Sequence, residues 1–178
     1  MGIRIEKRIE HDLGEATGTA VARLRDRCFP EFGCGRPYYK QLPHFRLLAF
    51  EGDALTGHLG VDHRVVRFGT EVVTIFGAID LCVAEDARGR GVGSALLAEL
   101  EQLAVRSGVG ALLLFASDQR LYQRCGFALR DASCSWLRID DHRNYGMAHE
   151  EIVGELMLKQ LDPKLSLTGE IDLLGYLF

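Results

Sequence analysis

Apolar residues change their spacing several times along the chain, and each change predicts a change of element. Between Ala16 and Phe29, Val21, Leu24 and Cys28 recur at helical spacing. Pro30 to Pro43 then holds three of the four prolines together with Gly33 and Gly35, which predicts an irregular loop of the kind that often carries function. A meander follows: a strand over Phe45–Glu51, a turn at Glu51-Gly52-Asp53-Ala54, a longer strand over Leu55–Phe68, a turn at Gly69-Thr70 and a strand over Glu71–Val83. Gly77 interrupts the last strand, and a strand glycine marks a bulge or the close approach of another backbone. From Gly91 the period becomes helical: Val92, Leu96, Leu100 and Leu103 form one stripe, stopped at Ser107-Gly108. Ala111–Phe115 is a continuous apolar run, the pattern of a strand buried on both faces. Strand, helix and buried strand make a βαβ unit. A short helix over Gln119–Arg124 leads to Gly126-Phe127 and to further strands around Ala128–Ile139 and Ile152–Leu161. Antiparallel strands first, with a parallel crossover in the middle, predict an α+β (mixed α/β) fold.

The length of 178 residues suits one domain, 1–178. Composition is that of an ordered globular chain, 47% hydrophobic and 26% charged. A net charge of -4 argues against nucleic acid as a partner, because phosphate-backbone binding needs a basic footprint. It suits an amine-bearing substrate somewhat better. The five cysteines (Cys28, Cys34, Cys82, Cys125, Cys134) are odd in number, scattered and without a C-x-x-C pair. That pattern predicts a reducing compartment and no disulfide framework. Met1–Glu10 lacks the apolar core of a signal peptide, and no apolar run is long enough to span a bilayer. The expectation is a cytoplasmic protein with no membrane partner.

The stretch Arg88-Gly89-Arg90-Gly91-Val92-Gly93-Ser94 carries the chemistry. Three glycines alternate where a strand hands over to a helix. Glycine permits a tight turn and leaves no side chain between the amides and a ligand. The first helix amides lack partners, the helix dipole adds about half a positive charge, and Arg88 and Arg90 stand beside them. The combination predicts an anion site. A dinucleotide fingerprint needs G-x-G-x-x-G, yet Gly93 falls one position early, and no acidic residue ends the next strand. The nucleotide P-loop is excluded because Gly-Lys-Ser/Thr is missing.

What Arg88, Gly91 and Gly93 do match is R-x-x-G-x-G/A, and here the chain resembles the GCN5-related N-acetyltransferase (GNAT) superfamily. Asp80-Leu81-Cys82-Val83 looks like that family's bulged fourth strand, and Leu121-Tyr122-Gln123-Arg124-Cys125-Gly126-Phe127 looks like its L-Y-x-x-x-G-F motif. The two motifs cover Ile79–Phe127, and the order of elements extends the likeness over Phe45–Ile139. Gly57-His58-Leu59-Gly60 through Arg67-Phe68-Gly69 is similar to a strand of aminoglycoside 2'-N-acetyltransferases and NodA-type acyltransferases. The resemblance implies acetyl-CoA or coenzyme A as cofactor, a small-molecule primary amine as acceptor and direct transfer. The backbone of Leu81, Cys82 and Val83 would meet the pantetheine arm, and Arg88–Ser94 the pyrophosphate. A binding module that keeps the cofactor site but performs no transfer is the alternative.

Aminolysis of a thioester needs a held cofactor, a polarised carbonyl, a deprotonated amine and a proton for the departing thiolate. Tyr122 is the natural acid, since a phenol with a pKa of about 10 stays protonated at neutral pH. The base is open. Ile79 occupies the position where many family members carry Glu; Asp80 follows it, and a water or a loop residue such as Glu31 competes with Asp80 for the role. The family's asparagine before the motif tyrosine is missing, with Ser117 and Asp118 in its place. His58 and His63, five apart on a strand, face opposite ways, and no metal site is expected. Cys125 reads as a packed thiol, and Trp136 and the phenylalanines as core. The apolar end Gly169–Phe178 suits either packing on a neighbouring subunit of a homodimer or bringing the Phe178 carboxylate to the acceptor pocket.

Overall fold

A computed structural model describes residues 2–178. Contacts divide the chain into two compact units: the segment up to Val61 with Ala78–Leu100, and Asp62–Gly77 with Glu101–Phe178. Two strands, β3 (Ala54–Phe68) and β4 (Glu71–Val83), and one helix, α2 (Val92–Arg106), contribute residues to both.

In the first unit, β1 (Arg4–Ile9) pairs antiparallel with β2 (Phe45–Glu51), and β2 pairs antiparallel with the first half of β3 in the register Phe45↔Val61. The apolar pattern did not predict β1. Its sequence Arg-Ile-Glu-Lys-Arg-Ile is dominated by charge, the usual dress of an edge strand. Helix α1 (Glu15–Cys28) buries Val21 and Leu24, as its stripe requires, and Arg25 with them. Helix α2 seats its first turn against β3 at Gly57, where an added Cβ would lie 2.6 Å from Val92 Cγ1 and 3.1 Å from Leu96 Cδ1. Its fully buried seam runs Val92, Leu96, Leu100, Ala104, so alanine takes the place expected for Leu103.

In the second unit, β4 pairs parallel with β5 (Ala111–Phe115), Ile75 opposite Ala111, as the βαβ reading requires. Beyond β5 lie β9 (Leu156–Gln160) and β6 (Ala128–Leu129), each antiparallel to its neighbour. The second half of β3 pairs antiparallel with β10 (Ile171–Tyr176); β10 runs parallel to β7 (Ala132–Asp140), which pairs with β8 (Arg143–Ile152). Thus the apolar end of the chain is a strand within its own unit, with Ile171 and Leu173 fully buried. Gly77 marks a close approach by a ring where a backbone was expected: a Cβ there would lie 2.9 Å from the Phe178 side chain. Strand β8 also went unread, because polar and apolar residues alike are exposed along it and only Ala148 is buried, so no period marks a face.

Candidate active site

The turn after β4 has the geometry of an anion cradle. A single 3-10 turn, Glu85–Ala87, leads into Gly89 and Gly91, whose φ angles are +74° and +86°. A Cβ at either glycine would meet nothing within 4 Å, so backbone conformation, and not crowding, calls for glycine. Ala95 N–H is the first amide returned into α2, to Gly91 O at 2.9 Å. The amides of Val92, Gly93 and Ser94 therefore precede the helix's own ladder. The first turn of α2 contains no acidic side chain to compete for them. Of the two arginines, Arg90 pairs with Glu51 at 2.9 Å and is half exposed, while Arg88 Nε donates to Val83 O at 3.4 Å.

Upstream, β4 runs through Asp80, a non-glycine residue with φ of +48°. A left-handed residue inside a strand turns the next peptide out of the ladder and makes a bulge. Both ends of Asp80 are held. Its carboxylate accepts from Arg25 Nε at 2.6 Å, and Arg25 is itself 1% exposed. Its carbonyl lies 3.1 Å from His58 Nδ1. The other nitrogen, His58 Nε2, is 2.7 Å from Arg46 Nη1, and Arg46 is clamped by Glu10 at 2.5 and 2.8 Å and by Pro37 O at 2.7 Å. Burial, and then the Arg46 charge, lower the His58 pKa to about 3, so the ring is neutral. Sequence reasoning missed Glu10, Arg25, Arg46 and His58. The available signal was charge on an apolar face: Arg25 falls on the Val21–Cys28 stripe, and Arg46 stands inside the run Phe45–Phe50.

Two thiols meet at the end of the same strand. Cys28 Sγ, at the last turn of α1, lies 3.6 Å from Val83 O. A hydrogen bond from buried Cys82 lowers the Cys28 pKa; burial opposes this, and Arg88 adds to the lowering. Cys82, as the donor, is pushed far up. Thiolate, the reactive form, is therefore present on Cys28 well below the pH that an ordinary cysteine needs. Iodoacetamide labelling of Cys28, resolved by peptide mass spectrometry, is expected to reach half its plateau rate below the pH an ordinary cysteine needs, and that half-point to shift upward in Cys82→Ala. A half-point above pH 8 in the unsubstituted protein contradicts this arrangement.

In the second unit, the motif Leu121–Phe127 is the end of α3 (Arg120–Arg124). Gly126 at φ +83° lets its N–H reach Gln123 O at 3.0 Å, while Phe127 N–H reaches Tyr122 O at 3.0 Å. This is a Schellman closure, and its hydrophobic contact joins the Tyr122 and Phe127 rings, edge to face with centroids 6.0 Å apart. The spacing Tyr-x-x-x-Gly-Phe thus fixes the tyrosine backbone and ring together. Asp118, in the place of the family asparagine, binds the Arg120 backbone N–H at 3.2 Å and its guanidinium at 2.7 Å. Among the described residues no group of three or more His, Cys, Asp or Glu is arranged to hold a metal, and no helix is long and apolar enough to cross a membrane.

Comparison with known proteins gives the fold and the family. The GNAT family acetyltransferase YhbS from Escherichia coli, solved in complex with CoA, is 19% identical with a TM-score of 0.63, over 97% of this chain and 91% of that one. A GNAT family acetyltransferase from Brucella melitensis, solved in complex with acetyl-CoA, is 16% identical with a TM-score of 0.59, over 94% of each chain. A GCN5-related N-acetyltransferase from Anabaena variabilis is 20% identical with a TM-score of 0.63 over 74% of this chain, which spans 34% of that protein's length. No curated protein sequence matches the chain. These structures share the fold, a mixed α+β arrangement. The model of the acetyltransferase (GNAT) family matches residues 15–127, well over half of the sequence, and the chain belongs to that family.

Proposed function

We propose that the protein is an acetyl-CoA-dependent N-acetyltransferase that acts on a primary amine of a small molecule by direct transfer. The observation that carries this reading is the run of unreturned amides at Val92, Gly93 and Ser94, behind two glycines of positive φ and without an acidic residue in the turn. Those amides with the Gly89 and Gly91 peptides fit a pyrophosphate, with Arg88 and Arg90 as adjacent charge. The backbone of Leu81, Cys82 and Val83, next to the left-handed Asp80, suits a pantetheine arm, because a strand bulged there turns amide and carbonyl groups out of the ladder toward a ligand. Bound there, acetyl-CoA supplies an acyl thioester.

The chain's own residues then divide the work. An amide of the Leu81–Val83 stretch donates to the acyl carbonyl and stabilises the charge that develops on it. The likeness of Leu121–Phe127 to the family's L-Y-x-x-x-G-F motif makes Tyr122 the candidate acid for the departing sulfur. Asp80, the candidate base on sequence grounds, has its carboxylate engaged by buried Arg25 and serves to anchor the bulge. Removal of the amine proton falls to water or to Glu31, which is exposed on the turn Pro30–Phe32. The YhbS and Brucella proteins, solved with CoA and acetyl-CoA, support the cofactor. Aminoglycoside-like amines are one acceptor class, on the sequence likeness of Gly57–Gly69.

Thiol release from acetyl-CoA, measured across amines, polyamines, aminoglycosides, amino acids and peptides, tests the reading. At least one amine is expected to accelerate it, and Tyr122→Phe is expected to lower kcat at least tenfold while CoA affinity stays within threefold. CoA binding without turnover on any amine would make the protein a binding module, and an undiminished Tyr122→Phe rate would remove Tyr122 from the chemistry.

A further inference from the structure

The bulge at Asp80 is held by more groups than a bulge needs. Glu10 clamps Arg46, Arg46 meets His58, His58 meets the Asp80 carbonyl, and Arg25 takes the Asp80 carboxylate. Arg25, Arg46 and His58 are at most 1% exposed, so the middle of this chain of contacts lies out of water. The direction of each bond follows from chemistry. Arginine has no acceptor, so His58 Nε2 accepts from Arg46, which leaves Nδ1 to carry the proton and donate it to the Asp80 carbonyl. A protonated ring would set an N–H against the Arg46 N–H at 2.7 Å, and only the neutral tautomer fits. Glu10 orients Arg46, and Arg46 selects the tautomer.

Fixing that carbonyl fixes more than one atom. The peptide is planar and trans, so the Leu81 N–H points opposite to the Asp80 C=O. A carbonyl held toward His58 directs the Leu81 amide away from the buried ring. Gly60, on the same strand as His58, lets β3 lie close to the preceding residue, since a Cβ there would lie 3.3 Å from Ile79 O.

We propose that His58 is a positioning residue for acyl transfer: together with Arg46 and Glu10 it sets the Asp80–Leu81 peptide so that the Leu81 amide is aimed at the acyl carbonyl. This rests on the acyltransferase reading above. It differs from a simple packing role, because it requires a donor at one position of the ring and an acceptor at another.

Two substitutions separate the two bonds. In His58→Asn the side-chain amide NH2 falls near the place of Nδ1 and keeps the bond to Asp80; in His58→Gln the terminal oxygen falls near Nε2 and keeps the bond to Arg46 alone. With thiol release as the assay, His58→Gln is expected to lose at least tenfold in kcat with KM for acetyl-CoA within threefold, and His58→Asn to recover most of that loss. Equal loss in both variants, or loss in neither, overturns the proposal. A readout that needs no variant is the long-range 1H–15N spectrum of the His58 ring in the unsubstituted protein, expected to show the Nδ1–H tautomer; the Nε2–H tautomer or a charged ring overturns it. Absence of turnover in the unsubstituted protein overturns the acyltransferase reading and this proposal with it, whereas turnover that His58→Gln leaves intact overturns this proposal alone.

Discussion

Replacing Arg25 by methionine is expected to lower the free energy of unfolding by about 3 kcal/mol, the low end of the range for breaking a buried ion pair. The low end applies because the Asp80 side chain keeps 19% of its surface while Arg25 keeps 1%. Methionine fills much of the same volume, so the loss is electrostatic: a carboxylate in a left-handed residue is left without its partner, and Phe32 O loses its donor at 3.1 Å as well. The double substitution Arg25→Met with Asp80→Asn is expected to regain part of the loss, because asparagine carries no charge and tolerates the same φ. Urea unfolding of the set of four proteins measures the coupling. Arg25→Met within about 0.5 kcal/mol of the unsubstituted protein, the usual span of surface changes, would show that the pair does not hold the bulge.

The second large effect concerns the anion cradle. Gly91→Val is expected to weaken CoA binding by roughly ten- to hundredfold. A β-branched residue held at positive φ costs about 1–3 kcal/mol, and relieving that strain rotates the peptides that present the first amides of α2. Open space around Gly91 rules out a clash as the cause. Gly108→Val is the control: Gly108 ends α2 at φ +67°, also with nothing within 4 Å of an added Cβ, so it bears a similar strain far along the helix from its first turn. It is expected to lose stability without losing CoA affinity. Equal affinity losses in the two variants would assign the effect to general destabilisation.

Much of this arrangement was legible in the sequence because it rests on local rules. The glycine turn, the closure of α3 at Gly126 and the turns at Gly52 and Gly69 that separate β2, β3 and β4 are short-range consequences of φ preference. Ala111–Phe115 declared itself by apolarity alone. The unread parts rest on distant partners. Strand β1 owes its existence to pairing with β2 some forty residues on, and its own charges give no period. Strand β10 needed the gap between β3 and β7 before its apolar residues could read as a strand. The bulge was expected within Asp80–Val83, but the ion pair that holds it joins residues 55 apart. His58 reads as a histidine on a strand face until Arg46 and Asp80 are seen at its two nitrogens. Such polar chains leave only a faint trace in sequence: a charge where the apolar stripe predicts a hydrocarbon.

The most direct test of the cradle is the backbone amide spectrum of 15N-labelled protein titrated with CoA. The largest shifts are expected at Val92, Gly93 and Ser94, with Gly89 and Gly91 next. Saturable CoA binding that leaves those amides unmoved would contradict the account, as would the absence of any binding.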